Sequence, residues 1–104
     1  MAFEQMIYEQ CFFDCQQAEE KSLKALLIER SPSGRARRTH DLPSLAEELS
    51  LDLSGEQFHF LRRSTELYIP TRYGDEEVNF EELQPEAWLR QTEEFLSWLR
   101  RLLI

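Results

Sequence analysis

Glycine and proline are scarce in this 104-residue chain, at three and four residues, and no apolar run approaches the roughly 18 residues that a membrane-spanning helix needs. The first scarcity fits a folded, mostly helical domain rather than a disordered tail, and the second leaves no candidate for a membrane-spanning helix. Cysteine occurs twice, at Cys11 and Cys15, one helical turn apart on one face. That geometry is unsuited to a disulfide and ordinary for small buried thiols, so a disulfide-stapled secreted domain is excluded. Positive charge is short as well: 12 Lys and Arg stand against 20 Asp and Glu, a formal net charge of -8. Sequence-independent affinity for nucleic acid comes from Lys and Arg neutralising phosphates, so a general nucleic-acid coating protein is excluded too. Glu4 and Glu9 stand where a secretory leader would carry lysines, and a cytoplasmic location is expected.

What is present is a composition of 41% hydrophobic and 31% charged residues, that of a folded domain. A chain this short buries only about two thirds of its unfolded surface, so one domain over 1–104 with a modest core is expected. Between Phe3 and Glu29 there is neither proline nor glycine, and Phe3, Ile7, Cys11, Cys15, Ala18, Ser22 and Ala25 recur at helical spacing. A second set, Phe12, Phe13, Leu23, Leu26 and Leu27, widens the stripe, so this long helix faces neighbours on more than one side. It ends near the breaker cluster SPSG at 31–34.

A second helix is expected from Asp41, as side-chain N-cap, to about Leu49, with Pro43 tolerated in its first turn. Ser54 and Gln57 form a capping-box pattern, and Phe58, Leu61, Thr65 and Tyr68 then mark a third helix over 54–68, broken at Pro70. Residues 70–84 read as an exposed loop. Pro85 opens a last helix with Trp88, Thr92, Phe95, Leu96, Leu99, Leu102 and Leu103 on one side. Four helices without a strand-period segment give an all-α, up-and-down antiparallel bundle.

The scarce positive charge is concentrated. Arg30, Arg35, Arg37 and Arg38 fall within nine residues and lead directly to His40 and Asp41. His40 beside Arg35, Arg37 and Arg38 combines a base with cations suited to a phosphate. Asp41 either orients the imidazole or caps the helix, the simpler job. Arg62, Arg63 and Arg72, with Tyr68 and Tyr73, extend the positive surface if the third helix lies beside this loop; the bland alternative is ion pairing with the many acids. Lys21 and Lys24, three apart, read as a ligand pair, but Glu20 with Lys24 is also an ordinary i,i+4 helix pair. His59, between Phe58 and Phe60, reads as a partly buried packing residue. Cys11, Cys15, His40 and His59 match no zinc spacing, so neither a metal nor another cofactor is expected.

Three blocks, FFDCQQAEEKSLKALL at 12–27, RTHDLPSL at 38–45 and LYIPTRYGD at 67–75, resemble the HEPN family of small helical domains. Gln16, Glu20, Lys21, Lys24, Ala25 and Leu26 match its first block, Thr39, His40, Asp41 and Leu42 its THDL block, and Tyr68, Arg72 and Tyr73 its Y-x-x-x-RY block. The resemblance implies a helical bundle, commonly a homodimer, often encoded beside a minimal nucleotidyltransferase in a module of toxin-antitoxin type. Of the matched positions Lys24, Asp41, Tyr68, Arg72 and Tyr73, together with Arg37 and Arg38 of the arginine segment, are the expected ligand-binding residues, and the resemblance makes a nucleotide or RNA the ligand.

Two departures qualify it. Family members usually carry a further helix before the first block, whereas eleven residues precede Phe12, so the bundle is expected to be shortened at its N-terminus and completed by dimerisation. The ribonucleases of the family carry R-x(4–6)-H near the final helical segment, and Arg72 has no histidine within six residues after it; only Arg35 and His40, in the earlier loop, meet that spacing. A nucleotide-binding and interaction subunit is therefore the first expectation. A metal-independent ribonuclease with a composite Arg/His site at a dimer interface is the second.

Overall fold

A computed structural model describes residues 2–30, 39–73 and 82–102, with the side chains of 2–5 and 68–73 outside the description. Four helices follow one another: α1 (Ala2–Arg30), α2 (Leu42–Glu48), α3 (Gly55–Tyr73) and α4 (Pro85–Arg101). The all-α expectation holds. Helix α1 sets the long axis of a body measuring 48 × 24 × 20 Å and packs against all three other helices, while α2 also packs on α3.

Each boundary has a local cause. Asp41 occupies the N-cap of α2 and its carbonyl accepts the amide of Leu45 at 3.2 Å, but its side chain makes no capping bond. The expected cap is instead tertiary: the amide of Leu42 donates to Thr65 Oγ1 on α3 at 3.0 Å. Helix α2 stops in a Schellman turn, with the amide of Ser50 on the Glu47 carbonyl and that of Leu51 on the Ala46 carbonyl. Ser50 takes the left-handed backbone that this turn requires, φ 56°. The capping box of α3 forms as expected, Ser54 N–H to Gln57 Oε1 at 2.9 Å and Gln57 N–H to Ser54 Oγ at 3.0 Å.

Helix α3 does not break at Pro70 but runs on to Tyr73. Proline removes one donor and crowds the preceding turn, a penalty that the rest of a long, packed helix can absorb. Pro85 opens α4 as expected, after Gln84 at φ 56°.

The core stripe of α1 is the second apolar set rather than the first: Phe12, Leu23, Leu26 and Leu27 are buried with Cys15, whereas Ile7 and Ala25 are exposed. On α3 the inward face runs through Phe60, Leu61 and Ser64, which leaves Phe58 and His59 exposed. The expected inward positions for Phe58 and His59 are thus corrected, because α1 meets α3 along a line one residue further round the helix. Trp88 of α4 fills the space between helices, with its ring 5.2 Å from both Phe12 and Phe60. Leu102 is exposed and Leu103 lies outside the described residues.

Along one side, α1 and α4 leave an apolar groove of about 520 Å³ lined by Ile7, Cys11, Ala18, Leu89 and Leu96. A second hollow, of about 260 Å³ beside Ser22, Ala25 and Leu99, continues it past Leu96. No helix among the described residues is long and apolar enough to cross a membrane.

Candidate functional site

The middle of α1 carries two consecutive buried acids that face different neighbours, since successive residues on a helix point about 100° apart. Glu19, with 0% exposure, turns toward α3 and α4. The Thr92 hydroxyl donates to its Oε2 at 2.8 Å. Its Oε1 and Ser64 Oγ are buried without a hydrogen-bond partner among the described residues. Burial pushes the Glu19 carboxyl up to about 7, against the hydrogen bond from Thr92, which favours the charged form. Cys15, one turn earlier, is pushed up to about 12, chiefly by burial, which leaves it an inert thiol.

Glu20, 6% exposed, turns toward the chain entering α2. Its Oε1 lies 2.7 Å from His40 Nδ1 and accepts Gln16 Nε2 at 3.1 Å; its Oε2 accepts Lys24 Nζ at 3.1 Å. Burial alone would raise this carboxyl, but hydrogen bonds from His40, Gln16 and Lys24, and the charge of Lys24, outweigh it and hold the group below its ordinary value. Glu20 is therefore a carboxylate at neutral pH that anchors two cation-capable groups by separate oxygens. The His40 side chain is 53% exposed and that of Lys24 23%, so both reach solvent from a fixed base.

Of the residues expected in the site, Lys24 and His40 are thus brought together on Glu20. Asp41 is exposed at the N-cap, and its amide bonds Thr39 Oγ1 at 3.1 Å. Arg35, Arg37 and Arg38 lie outside the described residues. Tyr68, Arg72 and Tyr73 sit on the last turns of α3, their side chains outside the description. Arg62 faces Glu66 at 3.4 Å and Arg63 stands 5.9 Å over the Trp88 ring, ordinary partners for surface arginines. Groups of three or more metal-type ligands are absent among the described residues.

Gln16 and Glu20 stood in the first block of the resemblance, and Glu20 as the i,i+4 partner of Lys24, but neither was expected in the site. A signal was available: Gln16, Glu20 and Lys24 recur every four residues along one helix line, and Gln16 is as buried as its leucine neighbours. Polar residues repeated along an otherwise apolar face need partners, and here the partners are each other and His40.

The arrangement suits the binding of a small anion. Lys24 offers a point charge, and His40 offers a ring nitrogen that donates when protonated and accepts when neutral. The amide of Leu42 adds nothing to this, because Thr65 already engages it, and an anion seat on the first turn of α2 is not available from that group.

In comparisons with known proteins, the family model described as HEPN domain matches residues 1–102 of this chain. No curated protein and no solved structure matches it.

Proposed function

The chain belongs to the HEPN domain family, and on that premise we propose that it is a nucleotide-binding interaction subunit. It receives a nucleotide phosphate at the Lys24–His40 face and partners a minimal nucleotidyltransferase in a module of toxin-antitoxin type. The observation that carries this reading is the double anchorage of Lys24 and His40 on the two oxygens of buried Glu20. Holding a long lysine and a loop histidine in place before the ligand arrives removes an ordering cost from binding. Without an acceptor such as Glu20 the two groups would be mobile and far weaker as a site.

The pairing expected of the family has a surface to use in the α1/α4 groove. Its occupant in this proposal is a second copy of the chain. Ala18 lies midway along the α1 line, seven residues from both Cys11 and Ala25. Two α1 helices crossing antiparallel at Ala18 bring exposed Lys21 of one copy near exposed Asp14 of the other, twice by symmetry.

One observation favours ribonuclease action as a second reading. A carboxylate on Nδ1 of a half-exposed histidine is the arrangement of an oriented general base, in which His40 would take the 2′-hydroxyl proton while Lys24 offsets charge on the phosphate. The two readings separate on purified protein. Calorimetric titration with ATP, AMP and inorganic phosphate is expected to show binding that weakens about tenfold in Lys24→Ala and in His40→Ala, the scale of one charge-assisted hydrogen bond. Incubation with tRNA, with and without EDTA, is expected to leave the RNA intact. Cleavage that survives EDTA and vanishes in His40→Ala would instead establish the second reading.

A further inference from the structure

Half of the His40 ring is open to solvent, so packing alone does not fix it. Its Nδ1 side is held by a hydrogen-bond chain with a single polarity. Gln17 Nε2 donates to Gln16 Oε1 at 2.7 Å, which turns the amide of buried Gln16 so that its Nε2 donates to Glu20 Oε1. His40 Nδ1 meets the same Glu20 oxygen at 2.7 Å, and Lys24 Nζ holds the other oxygen. An ionised carboxylate only accepts hydrogen bonds, so the ring nitrogen facing it must carry the hydrogen.

We infer that Glu20 is the positioning residue of this site: it keeps the hydrogen of His40 on Nδ1 in both charge states and thereby makes Nε2 the nitrogen that faces a bound phosphate. The inference deepens the proposed function and rests on it for the ligand, but not for the ring. With Nδ1 committed, a proton taken up by the imidazole lands on Nε2, where it becomes a donor to a phosphate oxygen. With the hydrogen on the other nitrogen, Nε2 would be a donor in every state and Nδ1 would set a lone pair against the lone pairs of Glu20, an arrangement the 2.7 Å separation forbids. The orienting group is thus twenty residues back on α1 and not the neighbouring Asp41. Gln16 and Lys24 serve the same end at one remove, by fixing the carboxylate that fixes the ring.

The test reads the ring directly. The protein has two histidines, His40 and the exposed His59, so His59 is an internal reference for a solvated imidazole. Long-range proton–nitrogen correlation on 15N-histidine-labelled protein at pH 8, assigned with His40→Ala, is expected to show the Nδ1–H tautomer for His40 and mainly Nε2–H for His59. Glu20→Met, of similar length and without an acceptor, is expected to shift His40 to the His59 pattern. Glu20→Gln, which keeps an acceptor oxygen, and Asp41→Asn are expected to retain Nδ1–H. In ATP titrations Glu20→Met should bind about tenfold more weakly. A wild-type His40 with the His59 pattern overturns the inference and needs no variant that might misfold. A tautomer that changes in Glu20→Met while ATP affinity stays the same overturns it also. Absence of ATP binding in wild-type protein with an Nδ1–H His40 would sink the nucleotide reading and leave the role of Glu20 on the ring standing.

Discussion

Glu19 and Glu20 are neighbours in sequence with opposite electrostatic fates, and the cause is partner supply. Glu20 has three donors and is held below its ordinary value. Glu19 has one hydrogen bond, to Thr92, and is pushed from 4.5 to about 7 by burial. Because the folded state binds this proton more tightly than the unfolded chain, Glu19's contribution is fully present below pH 4.5 and is lost as pH rises toward 7. The swing is on the order of 3 kcal/mol. Glu20 works in the opposite sense: its contribution is present above the unfolded value and is lost on acidification. Glu19→Gln cannot ionise yet keeps an oxygen for Thr92. Urea unfolding between pH 5 and 8 is expected to show wild-type stability falling with pH through Glu19 and the variant flatter, more stable at pH 8 by about 2–3 kcal/mol. A variant with the wild-type pH slope would rule out Glu19 as the source.

At the scale of the element, α2 has seven residues and no side-chain cap of its own, too short to persist alone. It is held by buried Leu42, Leu45 and Ala46 and by Thr65, whose hydroxyl accepts from Leu42 N–H and donates to the Leu61 carbonyl, both at 3.0 Å. Thr65 also helps to set where residues 39–41 enter α2, and therefore where His40 meets Glu20. Thr65→Val preserves shape and removes both hydrogen bonds. Denaturant unfolding is expected to show a loss of about 1–2 kcal/mol, and amide exchange should rise in α2 before α3. Uniform loss of protection across the molecule would show that Thr65 supports the whole bundle rather than α2.

Over the whole molecule, α1 acts as the hub, with α2 and α3 covering one side and α4 another, and the line from Ile7 to Ala25 left at the rim of the α1/α4 groove. Ile7 and Leu89 are exposed there. The proposed two-fold pairing makes a charge-swap prediction. Lys21→Glu is expected to weaken self-association about tenfold in analytical ultracentrifugation, and the double variant Asp14→Lys with Lys21→Glu to restore it, since opposite charges face each other again. Wild-type protein that sediments as a monomer at all concentrations would remove the pairing.

Much of this was written in the order of residues. The proline- and glycine-free run set the long helix, the Ser54–Gln57 box began α3 where expected, Pro85 opened α4, and the three quoted blocks carried the family, because each rests on chemistry within a few residues. What lay beyond local reach was which way each helix faces. Two apolar stripes on α1 look alike in sequence, and only packing against the other three helices made the Phe12–Leu27 set the core. Asp41 looked like the cap of α2 and the partner of His40; Thr65 and Glu20, each more than nineteen residues away, took those roles. Hydrogen bonds at such separations exist only after the helices have packed, which is why the sequence alone determined the elements and the family while the tertiary structure decided which carboxylate holds the histidine.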